Sequence, residues 1–115
     1  MPDPYNRLTR HSVVDGITAF AGGGQASATL LTAYNNRITV VATIADSVKL
    51  PPAVVAGIGQ EINVYNTTAN SANVFPSTGD QVKALGANTA FALAGGKSAR
   101  FTQTATGQWE VLLSA

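Results

Sequence analysis

Short runs that alternate between apolar and polar side chains recur along this chain, and each is closed by a cluster of Gly, Asn, Thr or Pro. A period of two puts every second side chain on one face, which is the signature of a half-buried strand and not of a helix. In "ITVVATI", Ile38, Val40, Ala42 and Ile44 alternate with Thr39, Val41 and Thr43. "EINVYNTT" sets Ile62 and Val64 against Asn63 and Tyr65, and "SARFTQTA" sets Phe101 and Gln103 against Arg100, Thr102 and Thr104. "QWEVLLS" alternates Trp109, Val111 and Leu113 with Gln108, Glu110 and Leu112. β-Branched and aromatic residues fill these runs, as a pleated surface prefers. Turn signals separate them at Gly22-Gly23-Gly24, Asn35-Asn36, Gly57-Ile58-Gly59, Thr78-Gly79-Asp80, Gly95-Gly96 and Thr106-Gly107. The spacing predicts an all-β protein: a single compact antiparallel β-sandwich or jelly-roll-like barrel over residues 12–115.

Two segments are read as hairpins. "FTQTATGQWEVLL" turns at Ala105 to Gly107. "NVYNTTANSANVFPSTGD" repeats Asn63-Val64-Tyr65 as Asn73-Val74-Phe75, so with "TTANSA" as the turn Val64 and Val74 share a face of adjacent strands. On that reading the asparagines serve a scaffold and not a ligand. Pro51-Pro52 cannot donate ladder hydrogen bonds and ends any strand there. "AVVAG" follows as one helical turn, with Pro52 near its start.

Residues 1–11 stand apart as an N-terminal arm. Pro2 and Pro4 resist regular structure, and Asp3, Arg7, Arg10 and His11 hold the local charge. Two readings stay open: a frayed terminus, or an extended arm that orders on a neighbouring subunit. In the second, Tyr5, Arg7 and Arg10 are the partner-binding residues, the arginines pairing with carboxylates.

Composition narrows the function classes. The 115 residues hold no Cys, which removes disulfides, thiolate metal sites and cysteine nucleophiles. Seven Lys and Arg stand against six Asp and Glu, 11% charged in all, where an average domain has about 25%. Phosphate recognition needs a dense basic stripe, so no nucleic-acid partner is expected. Little charge also opposes close subunit packing. The N-terminal "MPDPYNRLTRHS" has no apolar core of a signal peptide, and no apolar run is long enough to span a bilayer. No membrane partner is therefore expected, the sequon Asn66-Thr67-Thr68 is not expected to carry glycan, and synthesis in a host cytoplasm fits.

The residues that could carry chemistry are scattered. His11 lies in the arm and reads as a solvated histidine. Asp15, Asp46, Glu61, Asp80 and Glu110 are isolated in sequence, without calcium-loop spacing, and read as solvated or salt-bridged carboxylates. "AGGGQAS" lacks the Lys-Ser/Thr ending of a phosphate loop, and "GIGQEI" lacks the third glycine of a dinucleotide site. Tyr34, Tyr65, Phe75, Phe91 and Phe101 are too dispersed for a stacking platform, and Trp109 reads as core or subunit interface. No enzyme, cofactor or metal site is expected.

The segments "DSVKLPPAVVAG", "INVYNTTANSANVFPSTGDQVKALGAN" and "ALAGGKSARFTQTATGQWEVL" together resemble the small β-domains among virion structural proteins of tailed bacteriophages. The likeness covers roughly Asp15 to Ala115 and lies in strand and turn motifs, so it carries over no functional residue. It implies a capsid accessory or fibre-type domain, often trimeric. The expectation is a head decoration (cement) protein on the outer capsid surface of the virion. Its partners would be the major capsid protein and its own copies in a homotrimer. A fibre or spike domain that contacts the host surface is the alternative. A free carbohydrate-binding module is weaker, because it needs an aromatic platform.

Overall fold

The computed structural model describes residues 10–114. Of the expected arm, Arg10 and His11 are described and both are exposed, while Tyr5 and Arg7 lie outside the described residues. The chain is all-β apart from one helical turn. Its elements are β1 (Val13–Thr18), β2 (Thr29–Leu30), β3 (Asn35–Val40), β4 (Ser47–Lys49), α1 (Ala53–Ala56), β5 (Glu61–Asn66), β6 (Ala72–Phe75), β7 (Gln81–Val82), β8 (Phe91–Leu93), β9 (Ser98–Ala105) and β10 (Gln108–Leu113). They form a six-stranded sheet ordered β1-β3-β5-β9-β10-β7 and a four-stranded sheet ordered β2-β4-β6-β8.

The expected antiparallel sandwich or jelly roll is not what forms. Strands β1, β3 and β5 run parallel, as do β2, β4 and β6, so the first half of the chain winds between the sheets in stacked coils, like a β-solenoid. Val13 pairs with Asn35, and Asn35 with Asn63, so one coil runs from 13 to 35 and the next from 35 to 63. The chain then reverses. β9 pairs antiparallel with β5 and β10, and β8 pairs antiparallel with β6. The β9–β10 hairpin and the helical turn α1 stand where the sequence places them.

The second expected hairpin is a corner. β5 and β6 belong to different sheets, so Val64 and Val74 are not cross-strand neighbours. Asparagine amides turn the chain there. Asn66 is 2% exposed; its Nδ2 donates to the carbonyls of Asn70 (2.9 Å) and Leu93 (3.1 Å), and its Oδ1 accepts from the N–H and hydroxyl of Thr68. Asn70 reaches one coil back and donates to the Val41 carbonyl at 2.8 Å. A coil corner leaves backbone groups without sheet partners, and a buried one must satisfy them from side chains. Asn36 does the same at the β2–β3 corner, donating to the carbonyls of Ala33 and Asn63. Parallel in-register stacking also sets Asn35 beside Asn63, whose Nδ2 donates to the Asn35 Oδ1 at 3.0 Å.

One core lies between the sheets. Ile38, Val64, Phe101, Val82 and Trp109 come from the larger sheet, Val48, Ala72, Val74 and Leu93 from the smaller, and all are buried. Each fully buried large aliphatic side chain contributes roughly 1.5–3 kcal/mol. Trp109 is core, as one of its two readings had it. The "ITVVATI" alternation fails: β3 ends at Val40, the chain turns the corner, and Val41 is buried while Val40 and Ile44 are exposed. Tight corners explain one glycine. A Cβ on Gly95 would sit 2.5 Å from the Ala69 carbonyl, so the β8–β9 corner packs directly on the β5–β6 corner.

Candidate functional site

The outward face of the larger sheet carries a connected row of polar side chains. It forms because each parallel coil presents its outward positions beside those of the next. Tyr65 donates its hydroxyl to Asn35 Oδ1 at 3.1 Å, the atom that Asn63 already reaches. Arg100 Nε donates to Asn63 Oδ1 at 3.0 Å, and its Nη1 lies 4.0 Å from Glu61 Oε2. Tyr34 donates to Glu61 Oε1 at 2.9 Å and stacks on His11 with ring centroids 4.1 Å apart. At one end of this row lies a shallow hollow of about 250 Å³, lined by Tyr65, Ser98, Arg100, Leu112, Leu113 and Ser114. Leu112 is 70% exposed. This end combines a fixed guanidinium, hydroxyls and bare leucines, the mixture expected where a polar rim meets an apolar contact.

The residues weighed from sequence fall in different places. Asp15 is exposed and pairs with Arg37 at 2.8 Å, and that bond with the Gly16 N–H holds its carboxyl below the ordinary value. Asp46 is not solvated, and it forms no ion pair among the described residues. It is buried at the β3–β4 corner, where its carboxylate accepts from the backbone N–H groups of Gly22 and Thr43. Glu110 is exposed. Arg10 is exposed and stands near the row only through its neighbour His11. No group of three His, Cys, Asp or Glu converges among the described residues. Arg100, Asn63, Asn35 and Tyr34 carry the row; the sequence reading took Asn35 as a turn signal and Asn63 as scaffold, whereas Asn35 opens β3 and its amide oxygen accepts from Asn63. The available signal was the placing of Asn63 and Arg100 inside their strands, where an isolated strand gains nothing from an asparagine.

Asp80 is the carboxylate out of place. It precedes β7, beside the β9–β10 turn, and a Cβ on Gly107 would meet its Oδ1 at 2.8 Å. Its Oδ2 is buried without a hydrogen-bond partner among the described residues. Burial pushes its pKa above the ordinary 3.8, eased in part by the Ala53 N–H. The sign follows directly. Folding disfavours the charged form, so the associated stability is present below pH 3.8 and is lost as pH rises through the raised folded value. Asp80→Asn is therefore expected to melt higher than the parent at pH 7 and no higher at pH 3. Thermal melts at both pH values check this, and an unchanged or lower Tm at pH 7 contradicts it.

No protein-family model matches this chain, and a search of curated proteins gives no match.

Proposed function

We propose that this chain is a head decoration (cement) protein of a tailed bacteriophage, attached to the outer capsid surface, where it clamps neighbouring capsomers. The observation that carries the reading is the end of the larger sheet, where Tyr65, Leu112 and Leu113 stay exposed around Arg100 in a domain with few charges. Internal pressure pulls capsomers apart, and a compact clamp opposes it through many modest contacts. Multivalent attachment raises the effective concentration of each further contact, so no single contact has to be strong. The strand and turn motifs that resemble those of small phage virion domains support the same class. The major capsid protein and its own copies are the proposed partners, and no step of catalysis is proposed. Antibody against the domain should label the heads of the parental particles in electron micrographs; label confined to the tail overturns the reading.

One observation favours a fibre or spike domain as the second reading. Parallel coils stack along a single axis, with β1 and β2 the terminal strands of their sheets among the described residues, a geometry that extends readily into a shaft. Tail-tip labelling in the same micrographs selects it.

Self-association is proposed to proceed through the exposed end, as a homotrimer. Val41 belongs to the core, whereas Tyr65 and Leu112 are exposed at that end. Leu112→Asp is expected to abolish the trimer in sedimentation velocity while shifting stability by no more than about 0.5 kcal/mol, as surface changes do. A parent that sediments only as monomer at every concentration, on and off the particle, removes the trimer from the proposal.

A further inference from the structure

Strand β1 carries one residue more than the stretch of β3 it pairs with. Val14 stands opposite Asn36 and Ile17 opposite Ile38, so Asp15 and Gly16 share the span of a single β3 residue, Arg37. Two residues against one is a β-bulge. Gly16 takes a left-handed backbone there, with φ +73°, which glycine adopts without strain. Its N–H donates to Oδ1 of Asp15 at 2.7 Å, and Arg37 Nη1 donates to the same oxygen at 2.8 Å. A Cβ placed on Gly16 would meet nothing within 4 Å, and the Asp15 side chain is 62% exposed, so no described residue packs down on this pair.

An aspartate followed by glycine can be attacked by its own backbone, because no Cβ on the second residue hinders closure of the ring. The Gly16 nitrogen attacks Asp15 Cγ, which is bonded to the oxygen that the nitrogen already touches. The N–Cγ bond forms, the Cγ–Oδ2 bond breaks, and Oδ2 departs as water with its own proton and the amide proton. Water then opens the succinimide at either carbonyl and returns aspartate or isoaspartate, with no oxidant, no reductant and no net change in mass. Asp46 and Asp80 precede Ser47 and Gln81, whose Cβ atoms hinder the same closure. Arg37 opposes the reaction at Asp15 in two ways. Its hydrogen bond, with that from the Gly16 N–H, holds the carboxyl below the ordinary value, which depletes the protonated form that can lose water. It also helps to keep Oδ1 along the Gly16 N–H, edge-on to the amide, whereas attack needs Cγ above the amide plane.

We propose that Asp15-Gly16 is a site of spontaneous isoaspartate formation and that Arg37 is the positioning residue that restrains it. The inference is independent of the virion reading. The test follows the full chain over several weeks at pH 6 and physiological temperature. Isoaspartate is counted with an isoaspartyl methyltransferase and labelled S-adenosylmethionine, and located by fragmentation of the peptide that holds Asp15. It should accumulate at Asp15 and not at Asp46 or Asp80. Arg37→Gln should speed it by roughly two- to fivefold, the span that an exposed ion pair supports. Salt at about 1 M screens such a pair, so it should speed the parent and leave Arg37→Gln unchanged, a difference that a general loosening of the fold would not produce. Asp15→Glu should show no isomer at this position, since its ring needs one more atom. Absence of isoaspartate at Asp15 in both the parent and Arg37→Gln overturns the proposal. Equal rates in those two proteins, or the same salt response in both, overturn the part assigned to Arg37.

Discussion

Asn66→Asp is expected to destabilise the fold by roughly 3–5 kcal/mol at pH 7, the usual cost of leaving a buried charge uncompensated. The substitution changes almost no volume, which isolates the electrostatic cause. In the parent, Asn66 Nδ2 points at the carbonyls of Asn70 and Leu93, with Ala94 more distant at 3.4 Å. A carboxylate puts an anionic oxygen where three carbonyl dipoles converge. Domains of this size have only about 5–15 kcal/mol in total, so this one amide is decisive for the corner. Burial would raise the new carboxyl's pKa, and the defect should shrink as pH falls, because the protonated acid donates to one carbonyl again. Urea melts at pH 7 and pH 4 check both parts. Asn66→Ala should cost less, about 1–3 kcal/mol for the partners it strands. An aspartate variant within 1 kcal/mol of the parent at pH 7 would show that the corner is held by something else.

The same amide explains why the fold was only partly legible. Local pattern located β5, β9 and β10: Ala99, Phe101 and Gln103 are buried in alternation on β9, and the β9–β10 hairpin and α1 stand at their expected places. Partnering was misjudged. A hairpin turn and a coil corner use the same small polar residues, and nothing local in "NTTANSAN" says whether the next strand returns beside β5 or crosses to another sheet. The information lies one coil away, in the Val41 carbonyl that Asn70 reaches and the Ile38 carbonyl that Thr67 reaches at 2.8 Å. The recurrence of asparagines at 35, 36, 63 and 66 was the available clue, since buried amides suit stacked parallel coils. The polar row escaped notice for the same cause. Asn35, Asn63 and Arg100 meet only after the coils stack, and their sequence separations carry no motif.

Trp109→Ala is the second large effect, expected at about 3–5 kcal/mol, the usual cost of truncating a buried tryptophan. Trp109 is 1% exposed and sits on β10, where it pairs with Val82 on β7 and Gln103 on β9. Its loss would open the space between the hairpin and β7, whose one strand partner among the described residues is β10. The indole adds a less usual feature: Nε1 is buried without a hydrogen-bond partner among the described residues. An orphan donor costs about 1–3 kcal/mol. Trp109→Phe removes that donor along with part of the ring, so the two changes oppose one another. The phenylalanine variant should therefore lose less than half of what the alanine variant loses. Denaturant melts of both, with unchanged m-values, check the ratio. If phenylalanine costs as much as alanine, the indole N–H is satisfied in solution and shape complementarity alone fixes the residue here.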